Sequence, residues 1–314
     1  MRDSLFTTLG ILLIGCGTDP APAPQYVANF NPPAVAPGYT RFLTPTMKDI
    51  AAGSDVEYCQ WVAGPSATAQ DVLDVTGLQS ATGHHALLYA TTATQYEVGE
   101  SHICTERDTL AISFVGAIGG EGNASSAVKL PDGLFFRLPA GQALMLNTHW
   151  LNATDETVDA QAIIDVKFTP ASGDRQTADL FANNGLRFQI PPGRAAYDTS
   201  CVLQDDLSLV LAFNHMHEHG ATVYSELIHP DGSKAMIVAD EAWRPELQFN
   251  AHYSVFTLGA PMVAHAGDTY HTHCEWQNTT GSALQFPQEM CTGGAFYFPS
   301  QGHISCSEGA WPTK

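Results

Sequence analysis

Apolar and polar residues alternate along much of the chain, most clearly in the five segments ALMLNTHWLN, AQAIIDVKFT, LSLVLAFNHMH, ATVYSELI and YHTHCEWQN. Turn-forming sequences such as PDG, PPG, HAGD and TTG separate these segments. Alternation suits a strand, whose successive side chains point to opposite faces. No segment past residue 40 shows a long stripe with the 3.6-residue period of a helix. The pattern therefore predicts an all-β protein with few, short helices.

The domain organisation follows from a change in composition. An interval rich in Ser, Gly, Asp and Asn, at about residues 170–185, divides the body into two portions of similar length. We predict two antiparallel β-sandwich domains in tandem, an N-terminal one at 41–172 and a C-terminal one at 173–314.

The N-terminal segment MRDSLFTTLGILLIGCGTDPAPAP carries one early basic residue and an apolar run that is too short to span a bilayer. Residues 1–16 resemble a bacterial lipoprotein signal, with lipidation at Cys16, and the Pro- and Ala-rich residues 17–40 form a predicted tether. The alternative is an ordinary secretory signal with an incidental cysteine. The lipoprotein interpretation predicts an exported protein of the cell envelope, on the periplasmic or outer-surface side.

The charge balance limits the possible partners. Of 314 residues, 13 are Lys or Arg and 32 are Asp or Glu, which gives a formal net charge of -19. Nucleic acids and anionic membrane surfaces both select basic proteins, so neither is an expected partner. Membrane contact is expected only through the lipid anchor.

The remaining cysteines are interpreted through the predicted export, because thiols in an oxidising compartment tend to pair. These residues are Cys59, Cys104, Cys201, Cys274, Cys291 and Cys306. They allow many pairings, among which composition does not choose. A cysteine-ligated metal is the less favoured interpretation because no C-x-x-C pair is present.

Histidines interrupt the apolar strand pattern of LSLVLAFNHMH. His215 and His217 occupy alternate positions, so their side chains share a face, and imidazoles buried there without partners would be costly. Either the strand runs into solvent or the pair binds something. The HxH spacing is used by zinc enzymes, cupins and copper proteins. His219 extends the alternation, but Gly220 should end this geometry, which leaves His219 outside the predicted ligand set.

Two further histidines are adjacent in ATGHHALLY, and a third lies in LMLNTHWLN. Adjacent residues of a regular strand face apart, so His84 and His85 reach one metal ion only where the backbone is irregular. Gly83 permits such an irregularity. The group His84, His85 and His149 is thus a candidate metal site, and unrelated histidines at a strand entry are the alternative.

Met290 precedes Cys291 among turn-forming and polar residues in FPQEMCTGG. A methionine is usually core filler, but a thioether is also a soft ligand that selects copper, above all Cu(I). Met290 is therefore a candidate ligand.

The order of these residues resembles that of the copper type II, ascorbate-dependent monooxygenases, the family of peptidylglycine alpha-hydroxylating monooxygenase and dopamine beta-monooxygenase. The resemblance covers about residues 45 to 306. In chain order it rests on Cys59, His84, His85, Cys104, His149, Cys201, His215, His217, Cys274, Met290, Cys291 and Cys306.

The resemblance implies two coppers per chain, facing each other across an open, water-filled cleft between two jelly-roll-like sandwiches. The first copper, which transfers electrons, would be held by His84, His85 and His149. The second, where dioxygen reacts with a substrate C–H bond, would be held by the catalytic residues His215, His217 and Met290. The implied reaction is hydroxylation of a small organic substrate with an external electron donor, for which ascorbate is one candidate.

The resemblance also implies a disulfide pattern of Cys59 with Cys104, Cys201 with Cys306, and Cys274 with Cys291. The third bridge would fix the loop that carries Met290.

The chain departs from the peptide-amidating members at two places. Phe213 stands where those members carry a carboxylate-binding arginine, and Thr292-Gly293-Gly294 stands where they carry a tyrosine. A glycine-extended peptide is therefore a poor substrate candidate. An apolar or aromatic substrate fits better with the aromatic residues Phe213, Phe296, Tyr297 and Phe298, unless these belong to the core.

Two other functions stay open. One is a lipid-anchored copper-binding or copper-storage protein without catalysis. The other is a cupin-like metalloenzyme that holds iron or zinc with His215, His217 and Glu226. The chain also has a second HxH pair, His271 and His273. Three interpretations of it stay open: a feature of a surface strand, a pair that supports the metal ligands without binding the metal, or an incidental metal site.

Overall fold

The computed structural model describes residues 25–92, 95–105, 108, 112–120, 128–248, 251–286 and 288–312. Strands dominate these residues, and their one helical element is the short 3-10 helix Pro245–Gln248. The predicted all-β sandwich fold is confirmed. Among the same residues, none lies in a helix that is both long and apolar enough to cross a membrane. The predicted signal with Cys16, and the first part of the predicted tether, lie outside the described residues.

The strands of the first portion of the chain lie between residues 39 and 177. They are β1 (Tyr39–Leu43), β2 (Met47–Ile50), β3 (Asp55–Val62), β4 (Gln70–Gln79), β5 (Gly83–Thr91), β6 (Ser101–Ile103), β7 (Ile112–Gly119), β8 (Leu134–Leu138), β9 (Ala143–Leu151), β10 (Val158–Ala160), β11 (Ala162–Pro170) and β12 (Gln176–Thr177). One sheet has the order β1-β11-β4-β8-β12, a second has the order β6-β3-β9-β5-β7, and β10 pairs with β2. The pairing is antiparallel except between β12 and β8.

The strands of the second portion lie between residues 179 and 307. They are β13 (Asp179–Gly185), β14 (Gly193–Val202), β15 (Leu207–His215), β16 (Gly220–Ile228), β17 (Lys234–Asp240), β18 (Ser254–Val255), β19 (Met262–Ala264), β20 (Thr269–Asn278), β21 (Cys291–Phe298) and β22 (Ile304–Ser307). One sheet has the order β18-β15-β21-β13-β22, with β19 also on β15, and the other has the order β14-β20-β16-β17. Only β13 and β22 run parallel among these described strand pairs.

The alternation along β9 shows how the first sandwich forms. Leu144 and Leu146 are fully buried in the core between the two large sheets. Met145, Asn147 and His149 occupy the intervening positions, so they lie on the opposite face of the sheet. The sequence pattern thus places a histidine on the face of this sheet that is turned away from the sandwich core.

One hydrophobic cluster is shared by the two portions. The rings of Phe114 and Phe136, from the first portion, lie 5.2 and 5.4 Å from the ring of Phe296, from the second. Phe296 is 1% exposed. Offset and edge-to-face aromatic contacts at such distances stabilise the contact beyond the area that they bury. The two portions therefore pack directly against each other through side chains of both.

The polar interval that predicts a division of the chain contains strands β12 and β13. Strand β13 lies inside its sheet, between β21 and β22, and its Asn183 is fully buried. The Asn183 amide donates to the carbonyls of Thr199 and Tyr270, at 3.2 and 3.3 Å, and to the hydroxyl of Thr272, at 3.1 Å. The polar side chain of Asn183 thus satisfies buried hydrogen bonds within the second portion. Strand pairing changes from the first portion to the second between Thr177 and Asp179, and the two-domain division with its boundary at 172/173 stays a prediction.

The described part of the chain contains three disulfides, and their pairing confirms the one that the family resemblance implies. They are Cys59–Cys104, Cys201–Cys306 and Cys274–Cys291. Disulfides persist in oxidising compartments, so they are compatible with an exported protein.

Candidate metal centre

Three predicted ligands, His84, His85 and His149, come together in the structure. His85 on β5 is the register partner of His149 on β9. The Nδ1 atom of His84 lies 3.2 Å from Nδ1 of His85 and 2.9 Å from Nδ1 of His149. One ligand atom from each of the three lies within 4.8 Å of the others. We call these residues the three-histidine group.

A backbone irregularity brings the adjacent histidines to one point, as the sequence predicts. The register between β5 and β9 shifts between Gly83 and His85. A Cβ on Gly83 would lie 2.2 Å from the Cβ of Gln79, so a larger residue would force one of the two segments to shift. The buried Gln79 amide donates to the carbonyls of His85, at 3.1 Å, and His149, at 3.3 Å, and so ties both strands together. Sequence analysis did not find this role of Gln79.

The ionisation of the group suits a metal ion. Burial lowers the pKa of His84 to about 2 and lowers that of His85 well below its ordinary value. These two imidazoles are therefore neutral at pH 7, each with a nitrogen lone pair. Nitrogens bound at about 2.0–2.1 Å to one ion lie roughly 2.8–3.4 Å apart at angles between square and tetrahedral. The distances of 2.9 and 3.2 Å fall in that range, and an all-imidazole set suits zinc, copper, iron or nickel.

Two carboxylates of β3 lie beside His149. The Asp55 carboxylate contacts Nε2 of His149, and a Glu57 oxygen lies 3.9 Å from its Nδ1. Glu57 also accepts a hydrogen bond of 3.1 Å from the Asn147 amide. The hydrogen bond with His149 lowers the pKa of Asp55. A carboxylate on the second ring nitrogen fixes the tautomer and orientation of a metal-binding histidine. The alternating Asp55 and Glu57 are a signal in the sequence, but it gains meaning only once β3 is known to pair with β9.

The His215–His217 pair also forms, although the regular strand ends earlier than predicted. Strand β15 ends at His215, whose partner on β21 is Thr292. His217 lies beyond the strand, because the ladder with β21 stops there. The two rings have centroids 5.1 Å apart and an interplanar angle of 84°. Burial lowers the pKa of His215 to about 3 and lowers that of His217.

The loop before β21 is bound to the backbone that carries this pair. Met290 is half-buried, and the preceding Glu289 is fully buried. One Glu289 oxygen accepts from the backbone N–H of His217, at 3.0 Å, and from the indole N–H of Trp276, at 2.9 Å. The other accepts from the backbone N–H of His219, at 2.6 Å. His219 therefore acts here through its backbone, and Glu289 is a residue that sequence analysis missed.

The two groups of histidines influence each other. The charges of His217 and His215 contribute, after burial and after His149, to the low pKa of His84. The charge of His217 also lowers the pKa of Asp55, after the larger effect of His149.

The second HxH pair forms an ion-pair network elsewhere. His271 and His273 donate to the same oxygen of Asp198, at 2.9 and 2.8 Å. Glu226 lies 3.1 Å from His271 and 2.7 Å from the ammonium of Lys234. Glu226 therefore contacts the later HxH pair rather than the earlier one, which counts against the cupin-like ligand set.

The aromatic residues considered for a substrate surface belong largely to the core. Phe296 and Tyr297 are fully buried in hydrophobic clusters. Phe213 packs 5.8 Å from the ring of Phe296 and 5.8 Å from that of Tyr253. Phe296 and Tyr297 thus face neighbouring strands rather than a bound molecule.

The fold and the site together define an all-β protein with a three-histidine group that fits a metal ion. No family model matches the chain, and no curated protein matches it in sequence. Among solved structures, the chain is similar to the major capsid protein P2 from Bacteriophage PM2, at 9% identity and a TM-score of 0.30, covering 84% of this chain and 100% of that chain. A TM-score this low carries no argument about fold or function.

Proposed function

We propose that the protein is an exported copper-dependent monooxygenase that resembles the peptidylglycine alpha-hydroxylating and dopamine beta-monooxygenase family. It hydroxylates a C–H bond of a small organic substrate. The observation that carries the proposal is the convergence of three imidazole nitrogens in one group, together with a second histidine pair whose backbone is bound to the loop of Met290.

The three-histidine group would hold one copper, and His215, His217 and Met290 would hold the other. An all-nitrogen donor set tolerates both copper oxidation states, whereas a thioether favours Cu(I). Bound copper would supply one-electron redox chemistry and reactivity with dioxygen. The overall reaction balances as R–H plus O₂, two electrons and two protons giving R–OH and water. An external one-electron reductant of the ascorbate class supplies the electrons.

The chain's own residues prepare these sites. Burial lowers the pKa of His84 and of His215, so both imidazoles are neutral at pH 7 and each has a nitrogen lone pair that can bind a metal. Asp55 orients His149, and Gln79 holds the strands that carry His85 and His149. These contacts position the donor atoms of His85 and His149.

A second candidate is a copper-binding or copper-storage protein without catalysis. The burial of Phe296 and Tyr297 favours it, because these aromatics were the expected apolar surface for a substrate. Either function is compatible with a lipid anchor at Cys16. Acyl labelling of the wild-type chain and of Cys16→Ser tests that anchor.

Copper stoichiometry and Cu(I) X-ray absorption of the full-length chain in detergent test the proposal. Two coppers and a sulfur scatterer are expected. The scatterer should disappear in Met290→Ala and persist in Met236→Ala, a matched control whose side chain is 55% exposed on the second portion. One copper or none, or a sulfur signal indifferent to Met290, would count against the oxygen-reacting site.

Catalysis is tested separately. Incorporation of one atom of ¹⁸O₂ into a substrate from a panel of apolar and aromatic compounds, with ascorbate as donor, would separate the enzyme from the storage protein. Two bound coppers without any oxygen uptake beyond ascorbate oxidation would favour storage.

A further inference from the structure

We propose that Glu289 is a positioning residue that holds the Met290 thioether at the His215–His217 pair. This inference rests on the proposed function, because it assigns the contact that makes Met290 available as a ligand. Glu289 touches neither substrate nor metal in this proposal and acts through the backbone of its neighbours.

The carboxylate joins segments that are distant in sequence. Its two oxygens receive three N–H donors, from the backbones of His217 and His219 and from the indole of Trp276. Glu289 is 0% exposed, so these bonds form away from water. Charge-assisted hydrogen bonds of this kind are shorter and stronger than neutral ones. The backbone at His217 and His219 is therefore bound directly to Glu289, the residue before Met290.

Further contacts support the same junction. The backbone carbonyl of Gln288 lies 3.2 Å from Nδ1 of His217, and the indole of Trp243 donates to the His217 carbonyl at 2.8 Å. On the other side of Met290, the Cys274–Cys291 disulfide joins the start of β21 to β20. Met290 is thus fixed through both of its chain neighbours.

A flexible side chain needs such fixing. Methionine has three rotatable bonds, and its thioether is a weak ligand, so a displaced backbone would readily remove it from a metal. A carboxylate suits the position because both of its oxygens accept hydrogen bonds. A glutamine would accept with one oxygen and turn its NH₂ toward an N–H donor.

The test compares Glu289→Gln with Glu308→Gln. Glu308 is a matched control, because one of its oxygens accepts from the backbone N–H groups of Leu186 and Arg187 and the other from the Tyr197 hydroxyl. Both variants lose part of a three-donor network. In Glu289→Gln we expect the sulfur scatterer to weaken or disappear and Cu(I) affinity of the second site to fall about 10–100-fold. The three-histidine copper should remain. In Glu308→Gln both signals should equal those of the wild type.

A readout without metal accompanies the test. Hydrogen exchange of the metal-free protein should be faster at the amides of His217 and His219 in Glu289→Gln and unchanged there in Glu308→Gln. If Glu289→Gln does not fold, Glu289→Asp keeps the charge but withdraws the oxygens by one methylene, and the same losses are expected.

The outcomes separate the two proposals. A wild-type sulfur signal that survives with unchanged affinity in Glu289→Gln overturns the positioning role alone. An equal loss in Glu308→Gln also overturns it, because the effect would then be general destabilisation. A wild-type chain with no sulfur scatterer overturns the proposed function and this inference with it.

Discussion

Asp179, the first residue of β13, should make the stability of the protein fall as pH rises through the mildly acidic range. Its side chain is 7% exposed. Burial raises its pKa from 3.8 to about 6. The backbone N–H of Leu180 and the hydroxyl of Ser300 both donate to the carboxylate and lower the pKa, but their effect is smaller than that of burial. The perturbation is Asp179→Asn, which retains the shape and an acceptor oxygen but does not ionise.

The sign follows from proton binding. Between pH 3.8 and about 6 the folded state holds the proton on Asp179 and the unfolded state has lost it. The free energy of unfolding therefore falls with rising pH in that window and levels off above it. A shift of about 2 pKa units at 1.36 kcal/mol per unit corresponds to about 3 kcal/mol. The free energy of unfolding of Asp179→Asn should lack this fall. As pH rises through the window, the variant should therefore gain up to about 3 kcal/mol of stability relative to the wild type.

The assay is urea unfolding of the metal-free, disulfide-intact wild type and variant at several pH values from about 3.5 to 7.5. Only the difference between the two proteins is interpreted, because other acids such as Asp71 and Asp268 have lowered pKa values and act in the opposite direction. Two curves that stay parallel across the whole range, or a variant that loses stability relative to the wild type as pH rises, would refute the reasoning.

Three further predictions concern the two sites. Gly83→Ala should lower the free energy of unfolding by about 1–3 kcal/mol and reduce copper uptake, because the new Cβ would lie 2.2 Å from the Gln79 Cβ. Thermal unfolding and metal analysis measure the two effects, and unchanged stability and copper content would contradict the prediction. Asp55→Asn should lower Cu(I) affinity about 10–100-fold in a chelator competition, whereas equal affinity would remove its orienting role. Replacing both Cys274 and Cys291 by serine should cost about 3 kcal/mol in urea unfolding and abolish the sulfur scatterer, and a retained scatterer would show that the bridge does not fix the loop.

Local patterns predicted the fold class well, because strand alternation and turn residues report on neighbouring positions. Leu144 and Leu146 enter the core and His149 lies on the other face, as a period of two requires. The irregularity at Gly83 was also predictable, since two adjacent histidines cannot otherwise face one point. The disulfide pairing came from the family resemblance, since composition alone did not select among the alternatives.

Other features depend on contacts between distant strands. The contact of Asp55 with His149 requires the pairing of β3 with β9, and the hydrogen bonds of Glu289 join it to backbone groups 70 and 72 residues away in sequence. The buried position of Asn183 also depends on distant strands, because composition alone treats amides as exposed, whereas here the amide donates to backbone carbonyls inside the protein. The early end of β15 at His215 depends on where its partner β21 begins.

The shared cluster of Phe114, Phe136 and Phe296 bears on whether the two halves of the chain can be expressed separately. Separated by a cut near residue 178, each half would expose aromatic rings that the intact protein buries, and the isolated halves should aggregate or associate with each other. Neither half is then a natural unit of expression. Because rings from both halves pack against each other, side-chain packing sets the spacing between the two histidine groups. A longer segment between the halves would therefore leave that spacing unchanged.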